Sequence, residues 1–163
     1  MTRFGLRIRA VAVLRLVAAI SLLAVGGVHI QQYTVQDYRV IPTIRPLFLF
    51  NFIGGTVLGI YFLVPARPRA GRVRLLIDAL CALAGWFVAG GALLALLIRE
   101  DTPLFGFMEH GYRFAIVFAI ASEAVAVVTL TIVLFLDRRE ARRNRTPRRH
   151  GPLTVVRAPD AST

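Results

Sequence analysis

FAIVFAIASEAVAVVTLTIVLFLDRREARR, residues 114–143, decides the fold. From Phe114 to Leu136 this stretch holds one ionisable side chain, Glu123, and it then changes at once into an arginine-rich segment. A helix rises ~1.5 Å per residue, so the apolar part is long enough to cross the ~30 Å hydrocarbon layer of a bilayer. In hydrocarbon the backbone must satisfy its own hydrogen bonds, and a helix does so within a single segment. The stretch therefore predicts a transmembrane helix closed by a stop-transfer signal.

Working outward from it, three more apolar runs appear, from Val11 to Val28, from Pro46 to Val64 and from Val73 to Ile98. Pro42 and Pro46 suit the first turn of the second helix, where a missing N–H costs nothing, and Pro65 and Pro68 mark its exit. The expected fold is all-α: a polytopic membrane protein built as a four-transmembrane-helix bundle over residues 1–136. An arginine-rich tail, 137–163, is expected to be disordered or only briefly helical. Hydrophobic residues make up 56% of the 163, too many for a soluble domain of this size. The formal charge of +11 flanks the apolar runs instead of interleaving with a polar fold, which counts against nucleic acid as a partner. Cys81 is the single cysteine, so a disulfide or a CxxC pair within the chain is excluded. Arg3, Arg7 and Arg9 ahead of the first run resemble a signal peptide, but no small-x-small cleavage site follows, and the run is read as a retained helix.

Orientation follows from arginine, the sole basic residue besides histidine. Sixteen of the twenty arginines fall in the N-terminal segment (with Arg15 counted there), the middle connector and the tail. Arg39, Arg45, Arg99 and Arg113 are the four on the other side. Both termini are expected to be cytoplasmic, in the plasma membrane. In the tail, Arg138, Arg139, Arg142, Arg143, Arg145, Arg148 and Arg149 are placed to contact anionic lipid headgroups.

Ionisable groups in a membrane helix are costly and by default face the bundle interior, as do the small residues that let helices approach. Glu123 shares a helical face with Ala119 and Ala126. Asn51 shares one with Gly55 and Gly59, Asp78 with Ala82, Gly85 and Ala89, and Gly26 with His29 and Tyr33. Four helices with the same pattern predict a bundle with Asn51 and Glu123 inside and Asp78 near the cytoplasmic end. Glu123 lies ~14 Å beyond Phe114, near mid-membrane, and Asn51 ~8 Å beyond Pro46, so the two meet only if helices tilt or the second helix starts earlier. A neutral Glu123 carboxyl bonded to a neighbouring helix is one reading, and a proton- or cation-handling group is another.

The connectors on the outer side, HIQQYTVQDYRVIPTIR (29–45) and REDTPLFGFMEHGYR (99–113), carry most of the chain's recognition chemistry. Tyr33, Tyr38 and Tyr112 suit the membrane boundary, and with Arg39, Arg45 and Glu109 they are candidate ligand contacts. Mixed charges of this kind also form ordinary solvated ion pairs. His29 and His110 are expected at similar depth on this side and are candidate ligands for a metal or a haem iron, although no HxxxH or CxxCH spacing supports them. No cofactor is expected otherwise.

The segment IPTIRPLFLFN from Ile41 to Asn51, His29, Tyr38 with Arg39, LFGF from Leu104 to Phe107, and the run Ser122, Glu123, Ala124 together resemble a group of small four-span membrane proteins of GC-rich Gram-positive bacteria. The resemblance covers about the first 135 residues, and that group has a glycine where this chain has Arg45. Because the group has no assigned activity, the resemblance implies a fold and a setting without a mechanism.

Three functions fit the residues. The first is a non-enzymatic accessory or scaffold subunit, or a binder of a lipid-like ligand, with a membrane-protein partner or a second copy as company. The second is a small proton-linked carrier using Glu123 and Asn51. The third is a membrane redox protein using His29 and His110.

Overall fold

The computed structural model describes residues 3–35, 42–65, 71–101 and 114–145. They form four α-helices: α1 (Arg3–Val35), α2 (Ile44–Leu63), α3 (Arg72–Asp101) and α4 (Phe114–Arg145). Each contains a stretch long and apolar enough to cross a membrane, namely Arg9–Val35, Ile44–Leu63, Val73–Ile98 and Phe114–Arg139. The protein is an integral membrane four-helix bundle.

Helix ends follow local chemistry. The chain leaves α2 at Val64, whose backbone is extended and whose N–H donates to Tyr61 O at 3.2 Å, and Pro65 then prevents continuation. Helix α2 begins at Ile44, two residues before Pro46, which occupies the first turn. Helix α1 continues past Val28 to Val35. Polar side chains do not interrupt a backbone that keeps its own hydrogen bonds, and Thr34 folds its hydroxyl back onto Ile30 O at 2.8 Å. Helix α4 likewise runs on through Asp137 to Arg145, into the stretch expected to be tail. Residues 146–163, the rest of that tail, lie outside the described residues.

Neighbouring helices pack around a ring, α1 on α2, α2 on α3, α3 on α4 and α4 on α1. Across one diagonal α1 and α3 barely meet, and across the other the backbones of α2 and α4 do not approach. The centre is filled by Ala18, Ala19 and Leu22 of α1, Phe62 of α2, Ala82 and Ala89 of α3, and Ala126, Leu130 and Val133 of α4. Helices α1 and α4 bury the largest share of their spans and α2 the smallest.

Glycine sets the closest approach. A Cβ added to Gly55 would fall 2.8 Å from Leu22 O and 2.9 Å from Gly26 N, so α1 and α2 cross with their backbones in contact. One turn further, a Cβ at Gly59 would meet Ala19 O at 3.1 Å. Without a hydrophobic force between helices in lipid, this close van der Waals packing is what holds them together. The crossing also fixes the register that brings His29, one turn beyond Gly26, towards Asn51, one turn before Gly55.

Candidate functional site

Two clusters of buried polar side chains lie inside the bundle, one near each end. The first, away from the chain termini, joins α1, α2 and α4. Glu123 of α4 is completely buried, with 0% exposure, and among the described residues neither carboxyl oxygen has a hydrogen-bond partner. His29 Nε2, from α1, lies 3.9 Å from Glu123 Oε1. The imidazole is held at both nitrogens: Nδ1 is 2.8 Å from Val25 O, and Nε2 is 3.1 Å from Asn51 Nδ2 of α2. A carbonyl only accepts, so Nδ1 carries a hydrogen; the bare Nε2 then accepts from the Asn51 amide. Phe48 covers the ring, centroid to centroid 5.1 Å.

Local structure explains why Glu123 is left over. Its neighbour Ser122 is buried as well, but the Ser122 hydroxyl donates within α4 to Ala119 O at 3.0 Å. Thr129, two turns on, donates to Val125 O at 2.7 Å. These hydroxyls are committed to their own helix, and the carboxyl is paired with nothing but the approach of His29.

The arrangement resolves the depth mismatch noted in the sequence. Asn51 and Glu123 sit on α2 and α4, the two helices whose backbones do not approach, and the His29 side chain from α1 bridges them. The earlier start of α2 also places Asn51 ~10 Å below the beginning of its span instead of ~8 Å. By sequence alone His29 lies on the inward face of the first helix with Gly26, and its depth pairs it with His110. His110 lies outside the described residues, as do Tyr38, Arg39, Glu109 and Tyr112. Among the described residues no group of three or more His, Cys, Asp or Glu side chains converges in a metal-binding geometry. Tyr33 is half-buried one turn beyond His29, and Arg45 is exposed at the start of α2.

The second cluster, at the end carrying the start of α1, joins α1, α2 and α3. Arg15 is 4% exposed, a correction to its count as a flanking, topology-setting arginine. Its Nη1 donates to Asp78 Oδ1 at 3.1 Å and its Nη2 to Val64 O at 3.4 Å. Tyr61 donates its hydroxyl to the same Asp78 oxygen at 2.6 Å. Arg74 Nε lies 3.5 Å from Asp78 Oδ2 as an ion pair one turn away on α3. The Arg15 guanidinium also sits 5.0 Å over the Phe62 ring. Asp78 was readable in sequence, whereas Arg15, Tyr61 and Arg74 were not singled out. The available signal for Arg15 was its place inside an apolar run, in register with Ala18, Ala19 and Leu22.

Of the arginines expected at lipid headgroups, Arg138, Arg139 and Arg142 are exposed at the end of α4, and Arg139 stacks 4.1 Å over Phe135. Arg143 and Arg145 are helical, with side chains outside the described set, and Arg148 and Arg149 lie beyond it. Comparison with protein-family models, with curated proteins and with solved structures finds no match to this chain.

Proposed function

We propose that this is a multi-pass plasma-membrane protein with both termini cytoplasmic, and that it works as a small proton-linked carrier centred on Glu123 and His29. The observation that carries the reading is the Glu123 carboxyl, wholly buried with both oxygens unpartnered and an imidazole nitrogen 3.9 Å away. A buried polar group without a hydrogen bond is costly, and a lone charge costs more. A proton passing between the carboxyl and Nε2 avoids a lone charge in either state. It leaves two neutral groups on one side of the exchange and an adjacent carboxylate–imidazolium pair on the other.

Asn51 completes the device. Its amide presents Nδ2 to a bare Nε2, and the same amide rotated about its last torsion would present its oxygen to a protonated Nε2. Asn51 is thus a positioning residue that can serve both states of His29. The site lies ~9–14 Å below the nearer ends of its spans, deep enough for a proton there to be out of equilibrium with bulk water on that side.

The cytoplasmic placement of the termini rests on the arginine bias, which keeps its direction after Arg15 is removed from it. The accessory-subunit reading draws on the exposed apolar faces, such as Phe50, Ile53, Val57 and Ile60 on α2, but lipid covers such faces as readily as a partner helix does.

The test is proton flux in proteoliposomes of the full chain, with a trapped pH-sensitive dye and a potassium diffusion potential. The wild type should carry protons faster than protein-free vesicles, and Glu123→Gln should abolish the difference while eluting and melting as the wild type does. Wild-type vesicles no faster than empty ones, or Glu123→Gln as fast as the wild type, would overturn the carrier reading in favour of an accessory role.

A further inference from the structure

The cluster around Asp78 contains more positive charge than it uses. Two guanidinium groups, Arg15 and Arg74, share one carboxylate. Among the described residues, Arg15 Nε and Arg74 Nη2 are buried with no acceptor, and Arg74 Nε has only the 3.5 Å ion pair to Asp78 Oδ2. Arg15 is 95% buried by side chain, so its unused donor cannot be dismissed as solvated, whereas the Arg74 side chain is 31% exposed and opens the cluster to the outside. Buried donors of this strength require an acceptor.

Position adds a second argument. Arg15 starts within the α1 span, yet its guanidinium reaches Val64 O, just past the last residue of the α2 span, so the charge is directed towards that end of the bundle. Arg74 stands in the first turn of α3, where the free N–H groups of the helix start favour negative charge. Tyr61 adds no negative charge, and its hydroxyl donates to the same Asp78 oxygen that Arg15 uses. What is left over on Arg15 and Arg74 is donor capacity and positive charge, the chemistry that phosphate completes.

We propose that Arg15 and Arg74, backed by the first turn of α3, form a phosphate-binding site in the groove between α1, α2 and α3, filled by the phosphate of an anionic phospholipid headgroup or by free phosphate. Arg74 Nη2 and the Arg15 Nε–H supply the charge-assisted donors, and Asp78 holds the two guanidiniums without neutralising both. This site is separate from the exposed arginines of α4, which offer charge without a buried donor.

The experiment is native mass spectrometry of the detergent-purified full chain titrated with short-chain phosphatidylglycerol, and with phosphatidylcholine as the zwitterionic control. Arg74→Gln is the variant of choice because Arg74 is partly exposed and makes the longer of the two ion pairs to Asp78, 3.5 Å against 3.1 Å; Arg139→Gln removes an exposed arginine at the same end. The wild type should retain phosphatidylglycerol over phosphatidylcholine, Arg74→Gln should bind it about tenfold or more weakly, and Arg139→Gln, which removes one exposed headgroup contact, should weaken binding by clearly less, severalfold at most. Competition by millimolar inorganic phosphate would identify free phosphate as a ligand of the site, and absence of competition would identify the lipid. Equal loss in Arg74→Gln and Arg139→Gln, or no preference for the anionic lipid in the wild type, would overturn the proposal.

Discussion

The two buried clusters differ in what they lack. Around Asp78 the carboxylate is saturated, with Arg15, Tyr61 and Arg74 all directed at it, and the surplus consists of donors. Around Glu123 the nitrogens of His29 are saturated, by Val25 O and Asn51, and the surplus consists of carboxyl acceptors. Each cluster crosses a diagonal of the bundle that backbone packing leaves open, Arg15 to Asp78 between α1 and α3, and Asn51 through His29 to Glu123 between α2 and α4. The first does so with an ion pair and closes the bundle; the second does so through a hydrogen bond from Asn51 to His29 and leaves the Glu123 carboxyl 3.9 Å from the imidazole without a hydrogen bond among the described residues. Buried ionisable residues in one small membrane protein can therefore have opposite duties, and stability measurements should separate them.

The largest effect is expected at Arg15. Arg15→Ala leaves Asp78 buried without its main countercharge and should lower the unfolding free energy by about 3–5 kcal/mol, read as the midpoint of denaturation in mixed detergent micelles. The double variant Arg15→Met with Asp78→Leu should recover most of that loss, because no lone charge remains. If the double variant is as unstable as the single one, the cluster is not a closing pair, and half of the comparison fails. A smaller effect with opposite signs at two positions is expected on α1 and α2. Gly55→Ala forces a Cβ against Leu22 O and Gly26 N and should cost about 1–3 kcal/mol, whereas Gly27→Ala meets nothing within 4 Å and should gain up to about 1 kcal/mol from helix propensity. Since that crossing sets the register of His29 with Asn51, the Gly55 variant should also reduce proton flux, and the Gly27 variant should not.

Much of this was legible in the sequence, for a physical reason that also marks the limit. Hydrocarbon punishes open backbone and lone charge so heavily that run length, small residues and the few ionisable positions are enough to place four helices and point Glu123, Asn51 and Asp78 inward. Pairing between helices is less constrained. The face His29 shares with Gly26 was legible as inward, but its partner was not, and grouping it with His110 rested on similar depth alone. Arg15 was misplaced because arginine is also the topology signal, and a count does not distinguish a flanking guanidinium from one that turns into the bundle and reaches back out. Its helical register with Ala18, Ala19 and Leu22 was the more informative reading.

On the Glu123 side of the comparison, Asn51→Leu removes one amide donor from His29 Nε2 and should cost about 1 kcal/mol, the usual net value of a single hydrogen bond. Its flux should fall without vanishing, because Asn51 orients the imidazole and does not itself accept the proton.

The smallest change in stability, and the most informative, is expected at Glu123 itself. Glu123→Gln keeps the volume of the side chain and breaks no hydrogen bond among the described residues, where the carboxyl oxygens have none. The new amide can move the short distance to His29 Nε2 or remain as unpartnered as the acid, so the denaturation midpoint should shift by less than the equivalent of about 1 kcal/mol. Asp78→Asn, the same exchange at the other cluster, discards the charge on which Arg15 and Arg74 converge and should destabilise by several times as much. A structural carboxyl and a working one are thus distinguished by the ratio of these two shifts, with no reference to activity. Should Glu123→Gln prove as destabilising as Asp78→Asn, Glu123 would be a second closing residue, and the uncommitted acid on which the carrier reading depends would not exist.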